Sequence, residues 1–145
     1  MKKIGIISDT HGKLNSKVFE VFKNVDLILH AGDIGSDYVL NNLNLIAETK
    51  AVYGNMDDFD LRKILPKEIE LEIDKVKIHL SHNKEVPNKD FNIIIRGHTH
   101  ILQNEYINNI LHLNPGSATK SRFYKESIMI LTIENKEIKI EVIYL

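Results

Sequence analysis

Short apolar runs, each cut off by residues able to bind a metal, constrain this chain more than anything else in it. Five polar motifs do the cutting: Asp9-Thr10-His11, Gly32-Asp33, Gly54-Asn55-Met56-Asp57, Ser81-His82-Asn83 and Gly97-His98-Thr99-His100. The runs before them are Lys3–Ile7, Asp26–His30, Thr49–Tyr53, Lys75–Leu80 and Phe91–Ile95. Apolar stretches of this length read as buried strands. In open α/β sheets, sites form at the carboxyl ends of strands. The placement of the polar motifs therefore already points to a site.

Helical spacing fills the gaps in the first third. Leu14, Val18, Val21 and Phe22 predict a helix over Asn15–Lys23, with Asn15 or Ser16 as cap. Val39, Leu40, Leu43 and Ile46 predict a second over Ser36–Ala47. The order is β-α-β-α-β. The second half is richer in strands: a hairpin of Glu68–Ile73 and Lys75–Leu80 around Asp74, another within Tyr106–Leu113 around Asn108-Asn109, and a last one of Ser127–Ile133 and Glu137–Leu145 around Asn135-Lys136. Many strands and few helices favour an α/β sandwich of the α+β type, two packed sheets flanked by helices. No repeat or linker divides the chain, so residues 1–145 are expected to form a single domain.

Composition limits the chemistry. The chain has no cysteine, which excludes disulfides, thiolate zinc sites and Fe–S clusters. Any metal must be held by nitrogen and oxygen. A formal net charge of −1 predicts no binding to long nucleic acid. Met1-Lys2-Lys3 is followed by an apolar run too short for a signal peptide, and no run approaches the ~18 apolar residues of a membrane span. A soluble cytoplasmic protein is expected.

Taken singly, each motif has a plainer reading as turn chemistry or as a surface or core histidine. Taken together, Asp9, His11, Asp33, Asn55, His82, His98 and His100 supply the carboxylate, imidazole and amide ligands of borderline N/O sites for Mn²⁺, Fe²⁺ or Zn²⁺. These seven exceed what one tetrahedral ion uses. A carboxylate bridging two ions ~3.5–4 Å apart resolves the excess.

The set and its order resemble the calcineurin-like metallophosphoesterase superfamily, and within it the small bacterial and archaeal phosphodiesterase branch. Asn114-Pro115-Gly116-Ser117 completes the series, so the resemblance runs from Ile4 to about Arg122. It implies a four-layer α-β-β-α sandwich of two mixed sheets with helices on both outer faces. It implies two divalent ions, Mn²⁺ foremost, with Zn²⁺, Fe²⁺, Ni²⁺ or Mg²⁺ as alternatives. Asp9, His11 and His100 resemble ligands of the first ion; Asn55, His82 and His98 resemble ligands of the second; Asp33 resembles the bridge. Asp33, Asn55 and His98 carry the catalytic role by the same resemblance. In the family a metal-bound hydroxide between the ions attacks phosphorus, here on a small phosphodiester.

Three positions depart from the family pattern. Met56 stands where a histidine often serves as general acid, and it cannot donate a proton. That predicts preference for activated leaving groups or strained diesters. Asn83-Lys84 replace the Gly-His that often follows the isolated histidine. Ser121-Arg122 replace a Pro-Arg or Pro-Lys pair, and Arg122 is a candidate phosphate contact. His30 and Asp57 are expected to support the ligands rather than bind metal. His79 and His112 are read as non-functional, Arg96 as either a surface charge or a substrate contact, and Asn114–Ser117 as a turn in the wall of the site. Two rival functions remain: a metal-stabilised scaffold, as in a sorting-complex subunit of this superfamily, and a phosphomonoesterase. A small-molecule diester is the expected partner, no membrane is expected, and the edge of the last hairpin is compatible with a homo-oligomer.

Overall fold

The computed structural model describes residues 1–85, 90–119 and 124–145. Arg122 lies outside them. The elements in order are β1 (Lys2–Ile7), α1 (Lys17–Val21), β2 (Leu27–His30), α2 (Asp37–Ile46), β3 (Thr49–Ala51), α3 (Phe59–Ile64), β4 (Glu68–Ile73), β5 (Val76–Ser81), β6 (Ile93–Ile95), β7 (Gln103–Ile107), β8 (Ile110–Asn114), β9 (Ser127–Glu134) and β10 (Glu137–Tyr144). Two mixed sheets result, ordered β10-β9-β1-β2-β3 and β4-β5-β6-β8-β7. In the first, β1 lies parallel to β2 and antiparallel to β9. In the second, β6 lies parallel to both β5 and β8.

Alternation along the strands explains the packing. Ile4 and Ile6 of β1 join Leu29, Met129 and Leu131 in a cluster that meets Ile78, Leu80, Ile93, Ile95 and Leu113 of the other sheet. Ile7, Ile28 and Ile128 belong to a second cluster, with Val18 of α1, Val39 and Leu43 of α2 and Leu61 of α3. The described helices thus contribute to the cluster on one side of the first sheet. The sandwich of packed mixed sheets with helices agrees with the sequence. Among the described residues no helix is long and apolar enough to cross a membrane.

Three local features differ from expectation. The first helix is trimmed to Lys17–Val21. Asn15 Oδ1 accepts from Lys17 N at 2.9 Å, and the bonds Val18 N→Asn15 O and Phe19 N→Ser16 O span only three residues. The Asn side chain competes for the backbone that a first α-turn would use. Helix α3 was not anticipated. Asp58 Oδ1 caps it by accepting from Leu61 N at 3.1 Å, but six residues are too few to display a period. The strand expected over Thr49–Tyr53 ends at Ala51. All three hairpin turns lie where expected, with positive φ at Asp74-Lys75, Asn108-Asn109 and Asn135-Lys136. Positive φ at both central residues matches the right-handed twist of the flanking strands.

Ladder bonds continue beyond β1 and β2 into the loops. Ala31 N donates to Ile7 O, Asp9 N to Gly32 O and His11 N to Asp33 O, each at 3.0 Å. The two loops are therefore stitched together in register.

Gly5 is the tightest point between β1 and α1. A Cβ there would lie 2.8 Å from the ring of Phe22, which is fully buried. Gly5→Ala is expected to destabilise the fold by about 1–3 kcal/mol through overpacking. Combining it with Phe22→Leu should cost less than the sum of the single changes. Urea unfolding of the two single variants and the double variant checks this.

Candidate metal centre

Each sheet supplies part of one constellation. Asp9 and His11 follow β1, Asp33 follows β2 and Asn55 follows β3; His82 follows β5, and His98 and His100 follow β6. All seven side chains named from the sequence converge at these strand ends in two neighbouring groups.

The first group is Asp9, His11 and His100. Asp9 Oδ1 lies 3.3 Å from His100 Nε2 and 3.9 Å from His11 Nε2. Its other oxygen is held by Ser8 Oγ at 2.6 Å and His98 N at 3.1 Å. Asp9 is fully buried, yet among the described residues Oδ1 has no hydrogen-bond donor. Burial pushes its pKa up, against the hydrogen bond from Ser8 and the charges of His82 and His100. An orphaned buried carboxylate oxygen facing two imidazole nitrogens is costly unless a cation joins them. The donor set thus fits a divalent metal.

The second group is Asp33, Asn55, His82 and His98. His82 Nδ1 lies 2.8 Å from Ala31 O, so that nitrogen carries the proton and Nε2 faces the site. His82 Nε2 lies 2.9 Å from Asn55 Oδ1, 3.3 Å from Asp33 Oδ2 and 3.3 Å from His98 Nδ1. Asn55 Oδ1 is also 3.1 Å from His98 Nδ1. Only a proton or a metal can satisfy so many converging lone pairs. Burial lowers the pKa of His82, but hydrogen bonds to Asp33 and Ala31 O, and the charges of Asp33 and Asp9, raise it overall. Asp33 is held below its ordinary value: burial raises it, and hydrogen bonds from His82 and Met56 N outweigh that. Metal binding must therefore displace a proton from His82. Oxygens of Asp9 and Asp33 and a nitrogen of His82 lie within 4.8 Å of one another, which joins the two groups.

The backbone is contorted to reach this arrangement. Asp9, His11, Asp33, His98 and His100 all have positive φ, between 48° and 70°. Such angles cost non-glycine residues about 1–2 kcal/mol each. Two glycines make room instead. A Cβ on Gly97 would strike Ser8 Oγ and come within 2.8 Å of Asp9 Oδ2; one on Gly54 would strike the Asp33 carboxylate.

Residues behind the ligands hold the loops. Asp57 does not approach His82 or Asn55 as a side-chain partner. Its carboxylate accepts from Asp33 N at 3.0 Å, Gly54 N at 2.8 Å and Gly35 N at 2.9 Å. Arg62, which sequence reasoning missed, donates from Nε to Asp57 O and from Nη2 to Asn55 O. Only the unanticipated α3 could have drawn notice to it. His30 Nδ1 accepts from Gly32 N, and its Nε2 faces Thr10 Oγ1 at 3.0 Å. Asn114 Nδ2 donates to Gly97 O and Thr99 Oγ1. The Ser117 and Thr119 hydroxyls each lie 3.0 Å from Asp9 O. His79 pairs with Glu68 and stacks edge-on against Phe91, outside the site. Arg96 Nε and Nη2 are buried without hydrogen-bond partners among the described residues. Met56 is exposed at the rim, and its backbone N–H donates to Asp33 Oδ1.

Comparison with known proteins gives a consistent picture. Residues 1–136 match the model of the calcineurin-like phosphoesterase superfamily domain. A probable metallophosphoesterase, MJ0623, of Methanocaldococcus jannaschii is 40% identical over 92% of this chain and 77% of its own. A solved archaeal phosphodiesterase superposes with TM-score 0.79 at 30% identity, covering 97% of this chain and 99% of its own. Zinc-bound Vps29 of Entamoeba histolytica shares the fold, with TM-score 0.80 at 22% identity over 98% of both chains.

His30 sets an acid limit on the metal-free fold. Burial, aided by the charge of His82, pushes its pKa down to about 3. The folded state keeps it neutral while the unfolded chain protonates below about 6.5. Stability is thus lost as pH falls from 6.5 toward 3, by at most about 1.4 kcal/mol per unit. His82, with its raised pKa, is protonated in both states below 6.5 and adds no slope there. Wild type should lose stability more steeply than His30→Asn between pH 6 and 5 in urea unfolding with a chelator present.

Proposed function

This chain belongs to the calcineurin-like phosphoesterase superfamily, a family of metal-dependent hydrolases, and on that premise we propose that it is a phosphodiesterase acting on small diesters at a two-metal centre. The observation that carries the proposal is the convergence of the Asp9, His11, His100 group and the Asp33, Asn55, His82, His98 group. Asp33, within reach of both Asp9 and His82, would be the carboxylate shared by the two ions. Mn²⁺ is the ion we favour for a set of carboxylates, imidazoles and one amide oxygen. When bound, divalent ions lower the pKa of water and neutralise charge on phosphate oxygens.

The remaining work falls to the protein. His82 delivers Nε2 because Ala31 O holds the proton on Nδ1. Asp33 is held ionised in the metal-free protein by His82 and Met56 N, and the Met56 N–H remains its donor when His82 turns Nε2 to a metal. His11 and His98, exposed, and His100, partly exposed, leave the site open toward solvent. An open site suits a small substrate reached directly from solution. Met56 offers no proton to a poor leaving group, so activated or strained esters are favoured over simple alkyl ones.

Protein stripped of metal should not hydrolyse an activated aryl phosphodiester. Adding Mn²⁺ should restore turnover, and Asp33→Ala should reduce it by at least about 10²-fold. Metal-independent turnover, or full activity in Asp33→Ala, would sink the two-metal assignment. Met56 is 68% exposed, so a polar ring of similar size fits there. Met56→His is expected to raise kcat about tenfold or more for alkyl leaving groups and little for nitrophenyl ones. Steady-state rates across a series of leaving groups check this.

A further inference from the structure

A pocket of about 230 Å³ opens beside the second ligand group and shares Asn55 and His82 with it. Its walls carry Arg62, Lys67 and Lys84, with Tyr53 and Asn83. These residues come from four places: the loop after β3, helix α3, the link between α3 and β4, and the loop after β5. Tyr53 N donates to Pro66 O at 3.1 Å, which brings Lys67 against the loop that bears Asn55. Asn83 and Lys84 are the pair that departs from the family pattern, and the metal centre makes no use of them.

The charges do not cancel. Lys84 pairs with Glu68 at 2.7 Å, and Glu68 also meets His79. Among the described residues Lys67 has no ion pair. Arg62 lies 5.5 Å from the centre of the Tyr53 ring. It donates to two backbone carbonyls, and its guanidinium still has N–H groups to offer. The lining holds three cations and no carboxylate, and Glu68 offsets only Lys84 from beside it, which leaves a net positive pocket adjoining the candidate site for an anionic phosphodiester. Cations lining a concave wall focus the field and favour anionic ligands.

We propose that this pocket binds a second phosphate group of the substrate, so that the preferred substrates are small nucleotide-like diesters bearing an additional phosphate. The proposal rests on the phosphodiesterase function given above. Lys67 and Lys84 then act as specificity residues: they hold the distal phosphate while the scissile group lies over the metal ligands. Arg62 serves both the Asn55 loop and the pocket.

The test compares thymidine 5′-(4-nitrophenyl phosphate) with its 3′-phosphorylated counterpart on the Mn²⁺-loaded protein. The two release the same chromophore and differ only in the extra phosphate. Wild type should show kcat/KM about tenfold higher for the 3′-phosphorylated compound, as charge-assisted contacts to a phosphate allow. The ratio should fall toward one in the Lys67→Ala, Lys84→Ala double variant. It should persist in Lys63→Ala, which removes an exposed cation of α3 outside the pocket. A ratio near one in wild type, or a tenfold ratio surviving in the double variant, would overturn the proposal. Absence of turnover for both compounds would strike the phosphodiesterase function instead. Calorimetric binding of thymidine 3′,5′-bisphosphate against thymidine 5′-monophosphate, in wild type and the double variant, then decides the pocket by the same ratio.

Discussion

The carboxylate of Asp57 gathers three backbone amides from two loops, and the geometry of the metal ligands depends on it. Asp33 N, Gly35 N and Gly54 N all donate to it. The loop after β2 is thereby locked to the loop after β3, and Asp33 is set opposite Asn55. Asp57 is itself buried, so these bonds face little competition from water. Arg62 closes the arrangement from α3 by binding the carbonyls of Asn55 and Asp57. A short helix with one buried leucine thus gains a purpose that its own packing would not explain.

Beyond that clamp, the site is built from conflict. Five ligand residues adopt backbone angles that favour glycine, and one buried carboxylate oxygen lacks any donor among the described residues. Strain of this kind persists only where the surroundings over-determine it. Here the surroundings are the stitched loops after β1 and β2 and the Asn114–Thr119 segment bonded to the Gly97 and Asp9 carbonyls. Stability given up at the candidate ligands would be regained on binding a cation, since metal binding to a preformed site adds to folding free energy. Metal affinity, ligand strain and the protonation of His82 are therefore coupled quantities.

Much of this was legible in the residues. Glycines 32, 54 and 97 sit directly before candidate ligands, and the structure gives the last two a steric reason: a Cβ would strike the Asp33 carboxylate at Gly54 and Ser8 Oγ at Gly97. Strand ends could be located because β1, β2 and β6 each carry a short apolar run, Ile4–Ile7, Leu27–Leu29 and Ile93–Ile95, just before polar residues. The three hairpins could be located because Asn and Asp tolerate positive φ. What stayed hidden was short or non-local. Helix α3 has six residues and no full period. The partners of Asp57 lie up to 24 residues away, on loops whose approach no local pattern announces.

Sequence alone determined the ligand chemistry, since absent cysteines and a fixed order of Asp, His and Asn leave only nitrogen and oxygen donors. It also determined the strand-loop grammar, because that rests on period and turn propensity, which are local. Tertiary structure decided the rest. It set which ligands share an ion's reach, which nitrogen of His82 faces the site, and which carboxylate is orphaned rather than clamped. It also turned Arg62, Lys67 and Lys84, scattered over an exposed helix, the link after it and a loop, into one cationic wall. Those outcomes depend on distances between residues far apart in the chain. Only the packing of two sheets and the stitching of their loops sets such distances.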